Sequence, residues 1–163
     1  MSEKPDAAGQ TGEVTYTGDS NNKAATITVP DTIKGSDRVT YEVTKIDNNA
    51  FKGNKTIKTV NVGNNVEEIG TGAFQNATKL TTVKLGKKVS KIGKNAFNGD
   101  KKLKTIKING NSLTKVGKGA FKGIKKNVKI TIYAKNNKTY KKVVNLIKKS
   151  GAINVKYSFK IKK

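Results

Sequence analysis

The chain contains no cysteine and no histidine. Disulfide staples, thiol nucleophiles, imidazole acid–base catalysis and zinc sites built from sulfur or imidazole are thereby excluded. The absence of cysteine does not by itself assign a redox compartment. Tryptophan is also missing, and the aromatic content is only five Tyr and five Phe in 163 residues. No apolar run approaches the ~18 residues that a membrane-spanning helix needs. The first eleven residues are polar and lack the apolar segment of a secretion signal, so export would rely on a signal removed from this chain. Acidic residues are scarce: 11 against 34 Lys and Arg, a net charge of +23.

That scarcity is uneven. Residues 1–42 hold seven acidic and four basic residues, a net of −3, which leaves +26 for the remainder. The only acids beyond residue 42 are Asp47, Glu67, Glu68 and Asp100. Neighbouring side chains in extended backbone point to opposite faces, so Glu67 and Glu68 do not form a general acid–base pair. No phosphate-cradling loop and no metal-ligand spacing occurs, and Ser90-Lys91 is an isolated dipeptide. The chain is expected to be non-enzymatic, with no cofactor and no metal.

What is present is repetition. Four copies occupy 43–62, 66–85, 89–108 and 113–132. Each carries an Ala-Phe pair: Ala50-Phe51, Ala73-Phe74, Ala96-Phe97 and Ala120-Phe121, at spacings of 23, 23 and 24 residues by subtraction. A fixed period in this range marks a solenoid. Each copy ends in an alternating pair: Val60 and Val62, Val83 and Leu85, Ile106 and Ile108, Ile130 and Ile132. Period-two alternation of branched residues predicts a short strand. Ile57, Leu80 and Leu103 stand three residues earlier, with Asn127 in the last copy. Val66 and Ile69, Val89 and Ile92, Leu113 and Val116 complete the inward set.

Three columns hold almost only Gly, Asn or Asp. They are Asp47, Gly70, Gly93, Gly117; then Asn49, Gly72, Asn95, Gly119; then Gly53, Asn76, Gly99, Gly123. These residues tolerate positive φ, so each column is expected to reverse the chain. A single copy leaves two apolar faces open to water; only stacking closes them, which predicts one continuous core.

The pattern Leu80-Thr-Thr-Val83-Lys-Leu85, followed by Val89-Ser-Lys-Ile92-Gly-Lys-Asn-Ala96-Phe97, resembles the BspA-like (Treponema-type) leucine-rich repeats, over about residues 25–140. The chain lacks the Cys that often follows Ala-Phe in that family. The resemblance implies a mostly β solenoid: a right-handed superhelix with a parallel concave sheet. It also implies a bacterial protein of the cell surface, secreted and engaged in adhesion.

The ends read as caps. The division expected is a flexible leader over 1–12 and one domain over 13–163, with an N-terminal cap at 13–42, repeats at 43–132 and a C-terminal cap at 133–163. Val14 and Tyr16 alternate before a turn cluster at 18–22. Ile27 and Val29 precede Val60 and Val62 by 33 residues, ten more than the period, which fits a β-hairpin inserted around 34–42 and turning at Gly35-Ser-Asp37. Tyr140, Val143, Val144 and Ile147 predict an amphipathic helix over 138–149 that stops at Gly151. Ile153, Val155, Tyr157, Phe159 and Ile161 alternate as a closing strand.

If the sheet forms, residues flanking its inward positions make a concave face. The columns read Thr26, Thr59, Thr82, Thr105, Lys129; Thr28, Asn61, Lys84, Lys107, Thr131; and Pro30, Gly63, Gly86, Asn109, Tyr133. The candidate ligand-binding residues are Thr59, Asn61, Thr82, Lys84, Thr105, Lys107, Lys129, Thr131 and Tyr133. Stacked threonines also suit a parallel sheet for structural reasons alone, and solvated lysines can serve only solubility. Lys87-Lys88, Lys101-Lys102 and Lys125-Lys126 recur about a repeat apart and predict a basic ridge along one side.

Three functions follow as expectations: a surface module binding a protein or glycan, electrostatic attachment to an anionic polymer (cell-wall polymer, sulfated glycan or nucleic acid), and a spacer in a larger surface protein. Sequence-specific nucleic-acid binding is disfavoured. Base readout favours arginine forks, and Arg38 is the only arginine.

Overall fold

The computed structural model describes residues 12–17 and 23–162. The expected leader, save Gly12, and the expected turn at 18–22 lie outside the described residues. The strands are β1 (Gly12–Tyr16), β2 (Thr26–Val29), β3 (Thr32–Lys34), β4 (Thr40–Ile46), β5 (Thr59–Val62), β6 (Glu68–Ile69), β7 (Thr82–Lys84), β8 (Lys91–Ile92), β9 (Thr105–Asn109), β10 (Lys115–Val116), β11 (Lys129–Ala134) and β12 (Lys156–Ile161). One helix among the described residues, α1 (Asn137–Lys149), separates the last two strands.

Two sheets face each other across a continuous apolar core, as a mostly β repeat solenoid requires. The concave sheet runs β12-β11-β9-β7-β5-β2, parallel throughout. The second sheet runs β1-β4-β6-β8-β10, also parallel, with β3 added antiparallel to β4. Sequence alternation is too brief to announce the second sheet. Its strands β6, β8 and β10 are two residues long, and they pair only because stacking brings Ile46, Ile69 and Ile92 into register.

The turns between the sheets make a third set of bonds from coil to coil. The N–H of Phe51 donates to the carbonyl of Ala73 at 2.7 Å, Phe74 to Ala96 at 2.8 Å and Phe97 to Ala120 at 2.8 Å. Backbone polar groups of the narrow core are thus satisfied by the next coil. The phenyl rings follow the same stacking. Phe51, Phe74, Phe97 and Phe121 are fully buried, with successive centroids 5.2, 5.4 and 5.4 Å apart. Tyr16 closes the N-terminal end of this column, 6.0 Å from Phe51.

The Gly/Asn columns divide into two kinds. Two of them do reverse the chain: Asn49 and Asn95 have φ of 59° and 56°, and Gly53 and Gly99 have φ of 72° and 77°. The column of Gly70, Gly93 and Gly117 has ordinary φ and does not act as expected. Its residues lack a Cβ because successive backbones nearly touch there. A Cβ on Gly70 would lie 2.6 Å from the Asn48 nitrogen, and one on Gly93 2.6 Å from the Thr71 nitrogen.

A hairpin stands near the N-terminal end of the coil stack and a helix near its C-terminal end. β3 and β4 make the N-terminal hairpin, closed by Gly35 N–H on the Val39 carbonyl at 2.8 Å. The Tyr41 hydroxyl donates to Asp37 Oδ2 at 2.6 Å, which holds that carboxyl below its usual range. At the other end Asn136 caps α1 by accepting from Thr139 N–H at 2.8 Å, and Val143 and Ile147 are buried. Asn127 leaves the core and takes φ of 64°; Val128, one residue on, is buried in its stead.

Two details of the C-terminal cap differ from expectation. β12 does more than close the core: it pairs parallel to β11, with Tyr157 beside Ile130 and Phe159 beside Ile132, and becomes the sixth strand of the concave sheet. Ile153 and Ile161, expected to point inward, are 70% exposed.

Candidate functional site

The concave sheet positions the predicted columns by register. Thr59, Thr82 and Thr105 are direct neighbours, as are Asn61, Lys84 and Lys107. β11 adds Lys129, Thr131 and Tyr133 beside Thr105, Lys107 and Asn109. Six strands ~4.8 Å apart give a face roughly 24 Å across the strands. Inward alternation leaves these side chains on the outer surface, since Val60, Val83, Ile106 and Ile130 fill the core. Most are accessible: Lys84 and Lys129 are exposed, and Thr59, Asn61, Thr82, Thr105, Lys107 and Tyr133 are half-buried. Thr131 differs. It is only 4% exposed, because β12 now flanks it on the far side with Ser158 as its register partner.

The third column shapes the face. A Cβ on Gly86 would collide with the carbonyl of Gly63. Bare backbone therefore forms a low path, and Asn109 and Tyr133 rise at its C-terminal end. A groove of about 470 Å³ opens there, between Lys84 and Lys107 on one side and Tyr133 with Ile161 on the other. Leu85, Lys87, Ile161 and Lys162 also line it. Sequence reasoning placed Leu85 in the core, Lys87 in a ridge and Ile161 in a closing strand, and gave Lys162 no role. The pairing of β12 with β11 was the missing fact. The only available signal was the unbroken alternation through Ile161.

The predicted ridge of three lysine pairs is divided by the structure. Lys102 precedes β9 and lines a shallow depression of about 410 Å³ with Lys58, Lys79 and Thr81. Lys87 follows β7, at the opposite end of the strands, and lines the concave groove. Lys87 and Lys101 are only 14 residues apart, so these two pairs hold different places in the repeat, one after a strand and one before the next, and the two kinds of turn project from different edges.

Two of the acids beyond residue 42, Glu68 and Asp100, are tied into the fold. Glu68 bridges Lys45 at 3.5 Å and Lys91 at 3.2 Å on the second sheet. Asp100 is fully buried, its Oδ1 accepting from Ala77 N–H at 2.8 Å. Burial pushes its carboxyl up to about 9, opposed by that one hydrogen bond. Among the described residues no three His, Cys, Asp or Glu side chains cluster as metal ligands do. No described helix is long and apolar enough to cross a membrane.

Comparison with known proteins places this geometry. A family model described as the BspA type leucine rich repeat region matches residues 36–146 in six copies. The match reaches beyond the four in-register copies into the hairpin and the helix. A leucine-rich repeat protein from Bacteroides capillosus is 28% identical, with a TM-score of 0.65 over 77% of this chain and 88% of that one. Another, from Bacteroides ovatus, is 26% identical with a TM-score of 0.57 over 74% of this chain; the shared part is 29% of that longer chain. No curated protein matches the sequence.

Proposed function

This chain belongs to the BspA-type leucine-rich repeat family, and from that premise we propose that it is a non-enzymatic binding module of the bacterial surface, presenting its concave sheet to a protein or glycan. Leucine-rich repeats generally act as protein-interaction modules, and the reading for this chain rests on one observation. The concave sheet is a six-stranded parallel face on which the proposed contact residues other than Thr131 are exposed or half-buried, while α1 packs by β10 and β11. Thr59, Asn61, Thr82, Lys84, Thr105, Lys107, Lys129 and Tyr133 are the contacts proposed; buried Thr131 supports its neighbours. A rigid array costs little conformational entropy on binding, which favours recognition by a fixed surface.

The test is capture of matrix proteins and glycans on an array, followed by Asn61→Arg and Thr82→Lys. The expected outcome is loss of capture with an unchanged circular dichroism spectrum. Capture that survives both substitutions but is lost on altering the second sheet, for example at Lys115, would defeat the concave-face reading.

A second reading has its own support. Lys58, Lys79 and Lys102 come from successive turns and surround one depression with no carboxylate in its lining. An anionic polymer laid along those turns would displace counterions, so its binding would fall steeply with salt. The domain division proposed is a leader over 1–12 and one repeat domain over 13–163. The whole would serve as a spacer if flanked by other modules. The proposed location is extracellular.

A further inference from the structure

We infer that the groove at the C-terminal end of the concave face is a socket for an acidic peptide segment that carries an apolar side chain. The inference rests on the concave-face reading and names its partner. The lining has two chemistries. Lys84, Lys87, Lys107 and Lys162 all line one opening, and among the described residues no acidic side chain lines it. Such a cluster in a concave, partly apolar setting concentrates anions.

The groove also has an apolar side that a simple polyanion would leave unused. Tyr133 offers a half-buried ring. Ile161, 70% exposed, lines the same groove. An exposed isoleucine at this place has no role in the core. A ligand side chain set against Tyr133 and Ile161 would remove apolar surface from water on both partners. Flanking carboxylates would reach the lysines, where partial desolvation strengthens the attraction.

The shape arises from two local facts. The Gly63–Gly86 path keeps the approach free of side chains, since a Cβ there would strike the preceding coil. The pairing of β12 with β11 then sets Ile161 beside Ala134, one residue beyond Tyr133. A peptide can lie along the glycine path and end against the tyrosine. Sugar rings would gain from the tyrosine but little from Ile161.

The test is fluorescence polarisation with a labelled hexapeptide, Glu-Asp-Leu-Phe-Asp-Glu, and a control with serine in place of Leu-Phe. Saturable binding is expected, weakened at least tenfold in the serine control, in Tyr133→Asn and in Lys84→Glu/Lys107→Glu. Asn109 occupies the same column one coil earlier, so Tyr133→Asn should leave the fold intact, and circular dichroism checks this. Equal binding of both peptides, or indifference to Tyr133→Asn in the folded protein, overturns the socket. So does a sulfated oligosaccharide that displaces the peptide and is itself insensitive to Tyr133→Asn. If the hexapeptide fails while Asn61→Arg still abolishes array capture, the socket falls and the concave-face reading stands. Array capture insensitive to every concave substitution removes both.

Discussion

Phe74 and Phe97 lie face to face in successive coils, their ring centroids 5.4 Å apart and their planes within 3° of parallel. The parallelism follows from translation: each coil repeats its predecessor, so the same rotamer recurs and the rings must stack.

Phe97→Ala is therefore expected to destabilise the protein by about 3–5 kcal/mol, as removal of a fully buried phenyl does. Both neighbouring rings lose a partner, so hydrogen exchange should accelerate in the coils on either side. Urea denaturation measures the first effect. Faster exchange confined to the mutated coil alone would contradict stacking as the source of cooperativity.

Gly86→Ala and Gly53→Asn separate the two uses of glycine. The first puts a methyl group against the Gly63 carbonyl, which belongs to backbone on both sides and cannot yield; a loss of ~3 kcal/mol is expected. The second keeps a residue that tolerates positive φ at a site with open space around it, as Asn76 does one coil later with φ of 56°. Its cost should stay within about 0.5 kcal/mol. Thermal melts of the two variants decide the matter.

Asp100 should make stability depend on pH in one direction. Its carboxyl is raised to about 9 in the fold, so the fold favours the neutral form. That contribution is complete below the unfolded value near 4 and erodes as pH rises towards 9. The slope is at most about 1.4 kcal/mol per pH unit. Asp100→Asn should flatten this part of the profile and be the more stable protein at pH 8. Denaturation of both proteins at pH 4.5, 6.5 and 8 provides the comparison, and parallel profiles would refute the assignment.

Glu68→Gln is expected to cost less than about 1 kcal/mol, despite the loss of two ion pairs. The side chains of Glu68, Lys45 and Lys91 keep 30–44% of their exposure, and half-solvated pairs contribute little. The cost should vanish in 1 M salt, where the screening length falls to ~3 Å. A larger, salt-insensitive loss would mean that Glu68 holds β4, β6 and β8 together in another way.

Much of the fold was legible because stacking demands repetition. Ala-Phe at a fixed interval announces the core, and the Asn49 and Gly53 columns announce the turns. The second sheet was hidden because Glu68–Ile69 and Lys91–Ile92 are too short for alternation to register. The site was legible in part. Register alone predicted the rows through Thr82 and Lys84, whereas the groove depends on β12, whose partner strand lies 27 residues away (Lys129 and Lys156).

From the residues alone came the period, the inward positions and the strong positive charge after residue 42, since all three are properties of spacing and composition. Only the assembled molecule decided that Gly70 and Gly93 serve close contact, that Thr131 is covered and that Lys87 parts from Lys102. It also brought Tyr133 and Ile161 to the lining of one groove. The physical reason is common to all of these: each depends on the distance between one coil and the next, and a repeat pattern counts residues without measuring that gap.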